Sequence, residues 1–282
     1  MPTMRAAADR DIPAIRAILA ANGNDGPVAA DGVDIIGPYL LHLLHRHRAM
    51  VTERDAQVVA FGAVADAGVA AMLADLFVRP DLVGNGLGRP LLEALFDGST
   101  ARATFASSDP RALPLYVRAG MTPLWTIFYL EGAASQLPTP APGLTTWDAT
   151  AEELALLEEA WKGAQRPGDH AYWARQPAGD AFRIEDEEGP VAFGYARAKQ
   201  ASAARALDRL LVRPGADPVA PILAGLARSA REGRVMACVP GPNPVLRVLL
   251  EHGFRIADSD VYLASSPDFV DPLRLLPGPG LL

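Results

Sequence analysis

Apolar residues change their period several times along the first half of the chain. Over 9–21, Ile12, Ile15, Ile18 and Leu19 recur at helical spacing, which predicts an amphipathic helix whose first free amides Asp9 or Asp11 can cap. A second helical stretch covers 35–48. "AMVTERD" and "QVVAFGAVADA" then read as strands joined by a turn, and "AAMLADLFV" as a third. Next comes "VGNGLG", with Gly84, Gly86 and Gly88 at alternate positions before a helix over 89–97. Glycine is unfavourable there unless the backbone needs what only a bare Cα allows. "ATFAS" is a short buried strand, "RALPLYVRAG" a helix ending at Gly120, and "PLWTIFYLEG" a last strand. Antiparallel strands followed by strand–helix–strand–helix–strand predict a mixed α/β layer architecture.

The pattern then repeats. "VVAFGAVADA" (58–67) returns as "PVAFGYARAK" (190–199), "LFVRP" (76–80) as "LLVRP" (210–214), "RAGM" (118–121) as "EHGF" (251–254), and "YL" at 129–130 returns at 262–263, all in order and at offsets of 132 to 134. Constant spacing of this kind marks an internal duplication. The expected copies are 3–131 and 143–265, joined by a Pro-rich linker at 132–142 and followed by a Pro-rich tail at 266–282. That tail either drapes over a neighbouring surface or is disordered.

Composition narrows the function. The 282 residues are half apolar, enough for two real cores, and the net charge is −7. An acidic chain lacks the basic face of a nucleic-acid binder and favours cationic partners such as amines. A single cysteine, Cys238, rules out a disulfide framework within the chain, and charges interrupt the apolar residues at the start. The expectation is a soluble cytoplasmic protein with no membrane partner, a monomer or a homodimer.

A strand that feeds a helix through a Gly-rich turn presents successive N–H groups beside the positive end of the helix, which makes an anion cradle. The P-loop pattern is absent, and the spacing is G-x-G-x-G rather than G-x-G-x-x-G. With its flanks, "LFVRPDLVGNGLGRPLLEAL" followed by "DPRALPLYVRAGM" resembles the GNAT superfamily of N-acetyltransferases. The resemblance covers 3–131 and, more weakly, 143–265. It implies tandem GNAT-like domains, each a mixed, mostly antiparallel sheet flanked by helices, with a parallel strand pair that splays apart. It also implies acetyl-CoA as co-substrate, its pyrophosphate on Val83, Gly84, Asn85, Gly86, Leu87, Gly88 and Arg89, with Asp109 nearby. The pantetheine arm would pair with the main chain of Leu76, Phe77 and Val78. Two positions depart from the family pattern: Val83 replaces the usual Arg or Gln, and Asp109 the common Asn. Arg79 or Arg89 is the candidate substitute cation.

The resemblance implies direct attack of a primary amine on the thioester, with no covalent enzyme intermediate; no metal is expected. Tyr116 matches the family's general acid for the leaving thiolate. Asp75 is the carboxylate of "MLADLFV" and the candidate base or substrate anchor, although the position where many relatives carry an acid falls at Ala74 and simple alternation puts Asp75 on the opposite face. A non-catalytic acyl-CoA sensor or interaction protein remains the alternative. His42, His45 and His47 do not share one helical face, which disfavours a metal site; Trp125, Trp147, Trp161 and Trp173 read as packing residues, and Cys238 as a buried strand residue. The second copy keeps Gly215 alone of the three glycines and has Leu249 where the first has Tyr116, so it is expected to lack coenzyme binding.

Overall fold

A computed structural model of the chain describes residues 2–23, 34, 36–107, 109–139, 141–199, 204–278 and 280–282. The first half runs β1 (Thr3–Ala6), α1 (Ile12–Ala21), α2 (Ile36–Arg46), β2 (Arg48–Arg54), β3 (Gln57–Asp66), β4 (Ala71–Val78), α3 (Gly88–Leu95), β5 (Arg102–Ala106), α4 (Ala112–Arg118) and β6 (Thr122–Ala133). The second half repeats that order as β7 (Thr145–Asp148), α5 (Ala151–Lys162), α6 (Pro167–Ala174), β8 (Asp180–Asp186), β9 (Gly189–Ala198), β10 (Ala204–Val212), α7 (Val219–Ala230), β11 (Arg234–Pro240), α8 (Val245–Glu251) and β12 (Arg255–Ala264), then adds β13 (Leu275–Leu276). The residue-35 start expected for the second helix lies outside the described residues, as do residue 140 of the linker and residue 279 of the tail.

Local chemistry sets the helix ends. α1 takes no side-chain cap, contrary to the expectation for Asp9 or Asp11: Asp11 accepts from the Ala8 N–H at 2.9 Å, ahead of the 3-10 turn over Asp9–Asp11 that leads into the helix. Asp9 turns instead to His45 at 2.7 Å. At α5, Thr150 Oγ1 accepts from the Glu153 N–H and Glu153 Oε2 accepts from the Thr150 N–H, a reciprocal cap, and Gly163 at φ 69° stops the helix.

The strands form one sheet in the order β1-β2-β3-β4-β5-β12-β6-β11-β10-β9-β8-β7, with β13 added on β10. The two halves therefore exchange their last long strands. β12 of the second half lies antiparallel on β5, β6 of the first lies antiparallel on β11, and β6 and β12 pair with each other at the centre. Each of the central strands β5, β12, β6 and β11 thus has a neighbour on both sides. Gly132 of β6 is required here, because a Cβ would lie 2.5 Å from the Phe254 ring of the second half.

The largest apolar cluster likewise draws on both halves: Ile15, Leu40, Phe61 and Met72 pack with Trp173, Phe193, Tyr195, Leu275 and Leu282. Beneath it a buried polar network ties α5 and α6 to β10. Glu158 accepts from Arg209 and pairs with His170, each at 2.7 Å, and His170 in turn meets the Tyr195 hydroxyl at 2.7 Å. Burial alone would raise Glu158, but Arg209, His170 and Arg166 together hold its carboxyl well below the ordinary range.

Candidate acyl-CoA and amine site

Gly84 and Gly86 adopt φ of +87° and +75°, the left-handed region that favours glycine, whereas Gly88 is the first residue of α3 and does not. Inside the corner, Val83 and Asn85 donate back to Pro80 and Leu82. Among the described residues nothing accepts from the amides of Gly84, Gly86 or Leu87. Unspent N–H groups beside the start of α3 suit an anion. Val83, Gly84, Gly86, Leu87, Gly88 and Arg89 line the adjoining cavity; Asn85, expected among them, does not. Of the two candidate cations, Arg89 reaches the cavity while paired with Glu93 at 2.8 Å. Arg79 is bound to Asp81 and Gln57 outside it. Asp109 is clamped by Arg111 at 2.6 Å, which holds its carboxyl below the usual range, and Arg111 brings a further cation into the wall.

β4 and β5 pair in parallel only from Ala71↔Arg102 to Leu73↔Thr104, and the Thr104 hydroxyl donates to the Leu73 carbonyl at 3.2 Å where they part. Beyond that point β4 pairs with β3 alone. The Arg79 N–H donates to the Val59 carbonyl at 2.9 Å. Antiparallel alternation from that bond turns the main chains of Leu76 and Val78 away from β3, where the Val78 carbonyl already accepts from Asn22 Nδ2 at 3.1 Å, and commits that of Phe77 to Phe61 of β3. Phe77 therefore contributes its side chain to the cavity rather than the pairing expected of its backbone.

The pairing of β3 with β4 also slips at Ala74, so that Ala63 faces Asp75 while Val64 faces Leu73. This bulge breaks the simple alternation that put Asp75 and Ala74 on opposite faces; both line the cavity. The Tyr39 hydroxyl of α2 donates to Asp75 Oδ2 at 2.9 Å. Burial pushes the Asp75 carboxyl up to about 6, against the lowering effect of that bond. Tyr116 on α4 is 7% exposed and lines the same cavity. Burial, with the negative charges of Asp75, Asp109 and Asp260, raises its phenol well above 10.

The cavity measures about 1020 Å³ and crosses the junction of the halves. Its far wall holds Tyr172, Trp173, Arg197, Asp208 and Asp260 from the second half, and Gly278, Gly280 and Leu281 from the tail. Asp208 pairs with Arg197 at 2.8 Å and burial still raises it to about 6. Asp260 accepts from the Tyr129 hydroxyl at 2.6 Å. Sequence reasoning missed Tyr39, Asp208 and Asp260. The repeat held a signal for one of them: aligned on "LFVRP" and "LLVRP", Asp208 is the counterpart of Ala74, and β10 slips at the same place against β9.

His42 and His47 meet Asp169 of α6 at 2.8 and 2.9 Å, a grouping that the spacing of the histidines could not reveal, while His45 points away to Asp9. These three side chains could hold a metal ion by proximity. The Asp66 N–H, however, donates to His47 Nδ1, so His47 Nε2 carries the proton and donates to Asp169. The trio as placed is a hydrogen-bonded tie to α6 from His42 of α2 and from His47, the residue between α2 and β2. Cys238 lies buried in β11 as expected, its thiol raised by burial. Trp125 stacks on Tyr262, but Trp147, expected to pack, is 50% exposed. No helix among the described residues is long and apolar enough to cross a membrane.

Residues 25–121 match the Acetyltransferase (GNAT) family. No curated protein matches the chain. Among solved structures, a Pyrococcus horikoshii protein assigned as an acetyltransferase superposes with a TM-score of 0.71 at 13% identity, over 100% of this chain and 94% of that one. A tandem GNAT protein from the clavulanic acid biosynthesis pathway gives 0.63 at 16% identity, over 95% and 100%. A GCN5-related N-acetyltransferase from Sphaerobacter thermophilus gives 0.58 at 17% identity, over 98% and 96%. At these identities the likeness is one of fold. Residues 25–121 are thus an acetyltransferase domain of the GNAT family, set in a chain that has the fold of tandem GNAT proteins.

Proposed function

We propose that the chain transfers an acetyl or other short acyl group from acyl-CoA to a cationic primary amine, by direct attack in a ternary complex. We count 3–131 and 143–265 as the two copies, joined at 132–142, with the working site in the first. The observation that carries this reading is one cavity that holds both the unspent amides of the Gly84–Leu87 corner and the Asp75–Tyr39 pair. The corner would hold the pyrophosphate, with Arg89 and Arg111 in place of the cation absent at Val83. The outward main chain of Leu76 and the Val78 N–H would pair with the pantetheine arm. Bound there, acyl-CoA supplies a thioester carbonyl activated towards nucleophiles.

Asp75 takes a proton from the ammonium form of the acceptor; with its carboxyl at about 6 it is ionised at pH 7 yet basic enough to act. The neutral amine then forms the C–N bond, and the C–S bond breaks to leave a thiolate. A phenol near 10 is a weaker acid than a thiol near 8.5, so full proton transfer from Tyr116 is uphill by about 2 kcal/mol, and its burial adds to that. Tyr116 therefore serves as a hydrogen-bond donor that stabilises the departing sulfur, and the proton lost from nitrogen ends on the thiolate. The described lining sets Asp75, Asp109, Asp208 and Asp260 against Arg89, Arg111, Arg118 and Arg197. With Arg111 clamping Asp109 and with Arg89 and Arg111 turned to the pyrophosphate, Asp75, Asp208 and Asp260 are the carboxylates that would draw a cationic acceptor.

The test is release of free thiol from acetyl-CoA with a panel of amines, alongside calorimetric binding. Turnover on cationic amines supports transfer; tight acetyl-CoA binding without turnover on any amine supports the sensor instead. Tyr116→Phe is expected to lower kcat about 10-fold with little change in acetyl-CoA affinity.

A further inference from the structure

The second half has the same splayed pair as the first, and its opening is filled. β10 and β11 pair in parallel from Ala204↔Arg234 to Leu207↔Ala237 and then part. The Arg213 N–H donates to the Val191 carbonyl at 2.8 Å, as Arg79 does to Val59, so Leu210 and Val212 turn their main chains outward just as Leu76 and Val78 do. In the second half, however, that edge carries the tail. Leu210 pairs with Leu276 and Leu211 with Leu275, and the Val212 N–H donates to the Arg274 carbonyl at 2.9 Å. Aligned on "DP" and "NP", Asn243 is the counterpart of Asp109; it is 2% exposed, and its amide donates to the carbonyls of Pro272 and Leu273 at 3.0 and 2.8 Å. The strand edge and the polar side chain that match the first copy's cofactor groove are thus both engaged by the chain's own end.

Past β13 the tail crosses to the first copy. Gly280 approaches Tyr39 so closely that a Cβ there would lie 2.7 Å from the hydroxyl, and Gly278 meets the Asp208 carbonyl in the same way at 2.8 Å. Leu281 and Leu282 are buried in the shared apolar cluster. Tyr39 is the residue that donates to Asp75.

We propose that the C-terminal segment from Pro272 onward is a built-in surrogate for the pantetheine arm: it occupies the second copy's groove and, through Gly280 and Tyr39, positions Asp75 in the first. The role of Asp75 as base rests on the function proposed above. Consequently each chain has one acyl-CoA site. The tail is a positioning element, since it touches Tyr39 rather than the reacting atoms. The groups that face Asp75 are Tyr39 on α2, Tyr116 on α4 and Tyr172 on α6.

Two variants of the full chain test it. Gly280→Ala displaces the Tyr39 hydroxyl, removing the bond that lowers Asp75. The acidic limb of the kcat/KM profile is expected to move up by about one pH unit, with acetyl-CoA affinity unchanged, and Tyr39→Phe to move it likewise. Deletion of 272–282 is expected to raise the acceptor KM and to unprotect the Leu210 and Val212 amides in hydrogen exchange, with one acetyl-CoA bound per chain before deletion. A Gly280→Ala profile that superimposes on the parent's, two acetyl-CoA bound per intact chain, or slow exchange at Leu210 and Val212 after deletion would each overturn the proposal. If the deletion unfolds the protein, Gly280→Ala and the stoichiometry decide. If the parent acylates no amine at all, the transfer reading fails by itself. The tail is then judged by titrating the Asp75 carboxyl by ¹³C NMR in parent and Gly280→Ala, where an unmoved midpoint rejects the contact.

Discussion

Asp75 is held at a cost that pH can reveal. Its folded value near 6 lies above the unfolded value of 3.8, so its contribution to stability is fully present below about pH 4 and is lost as pH rises through 6. Removing the charge should therefore stabilise the protein at neutral pH. Asp75→Asn is expected to melt higher than the parent at pH 8, by roughly 1–2 kcal/mol, and at the same temperature at pH 4. The same variant should lose about 100-fold in kcat/KM, the range of a missing general base. Thermal melts at the two pH values check the first part, and an unchanged gap between them would mean that the carboxylate is comfortably solvated. Glu158 and Asp169 carry the opposite sign. Both are held low by cationic or imidazole partners, so their contribution is present above about pH 4.5 and lost as pH falls. Acid unfolding is thus expected to begin at the α5–α6 network rather than at the site.

At the scale of elements, the Gly corner offers the sharpest test. Gly86 sits at φ +75° with nothing within 4 Å of a built Cβ, so the open space in front of it is where a ligand would come. Gly86→Glu adds backbone strain and sets a carboxylate among amides that suit a phosphate. It is expected to weaken acetyl-CoA binding at least 100-fold by calorimetry, whereas Gly86→Ala, which adds the strain alone, should weaken it far less. Equal affinity in the Glu variant would move the cofactor elsewhere. This corner could be read from sequence because its signal is local: glycines, flanking strand, following helix. The order of strands and helices was legible for the same reason. The bulge at Ala74 was not, since an inserted alanine looks like any other strand residue and only the partner strand reveals the slip. Nor was β1, four residues of which three are exposed, which leaves no apolar alternation to see. Asp260 was beyond reach for a different reason, and Asp208 was signalled only through its place in the repeat. Each lies more than 130 residues from Asp75 in the chain, and they join its cavity through the exchange of strands and the packing of the two halves.

That exchange makes the whole molecule the unit of stability. In the first half β5 has no neighbour from its own copy on the side where β12 lies, and in the second half β11 depends on β6. Two fragments, 1–138 and 143–282, are therefore expected to co-purify as one species that binds acetyl-CoA when produced together. Each alone should aggregate or oligomerise, because it presents a bare central edge and an unpartnered strand. A separated first half has one escape: β6 could fold back onto β5 in place of β12. Its side chains argue against that. Gly132 is shaped to receive Phe254, Tyr129 donates to Asp260, and Glu131 pairs with Arg234, and every one of these partners belongs to the second half. Size-exclusion chromatography of the separate and joint fragments decides it. A monodisperse, folded monomer of 1–138 that binds acetyl-CoA would show that the exchange is dispensable and that the second half contributes only a wall to the acceptor cavity. A stable 1:1 pair of otherwise insoluble halves would mean that the cofactor groove itself depends on a strand from the copy that does not use it.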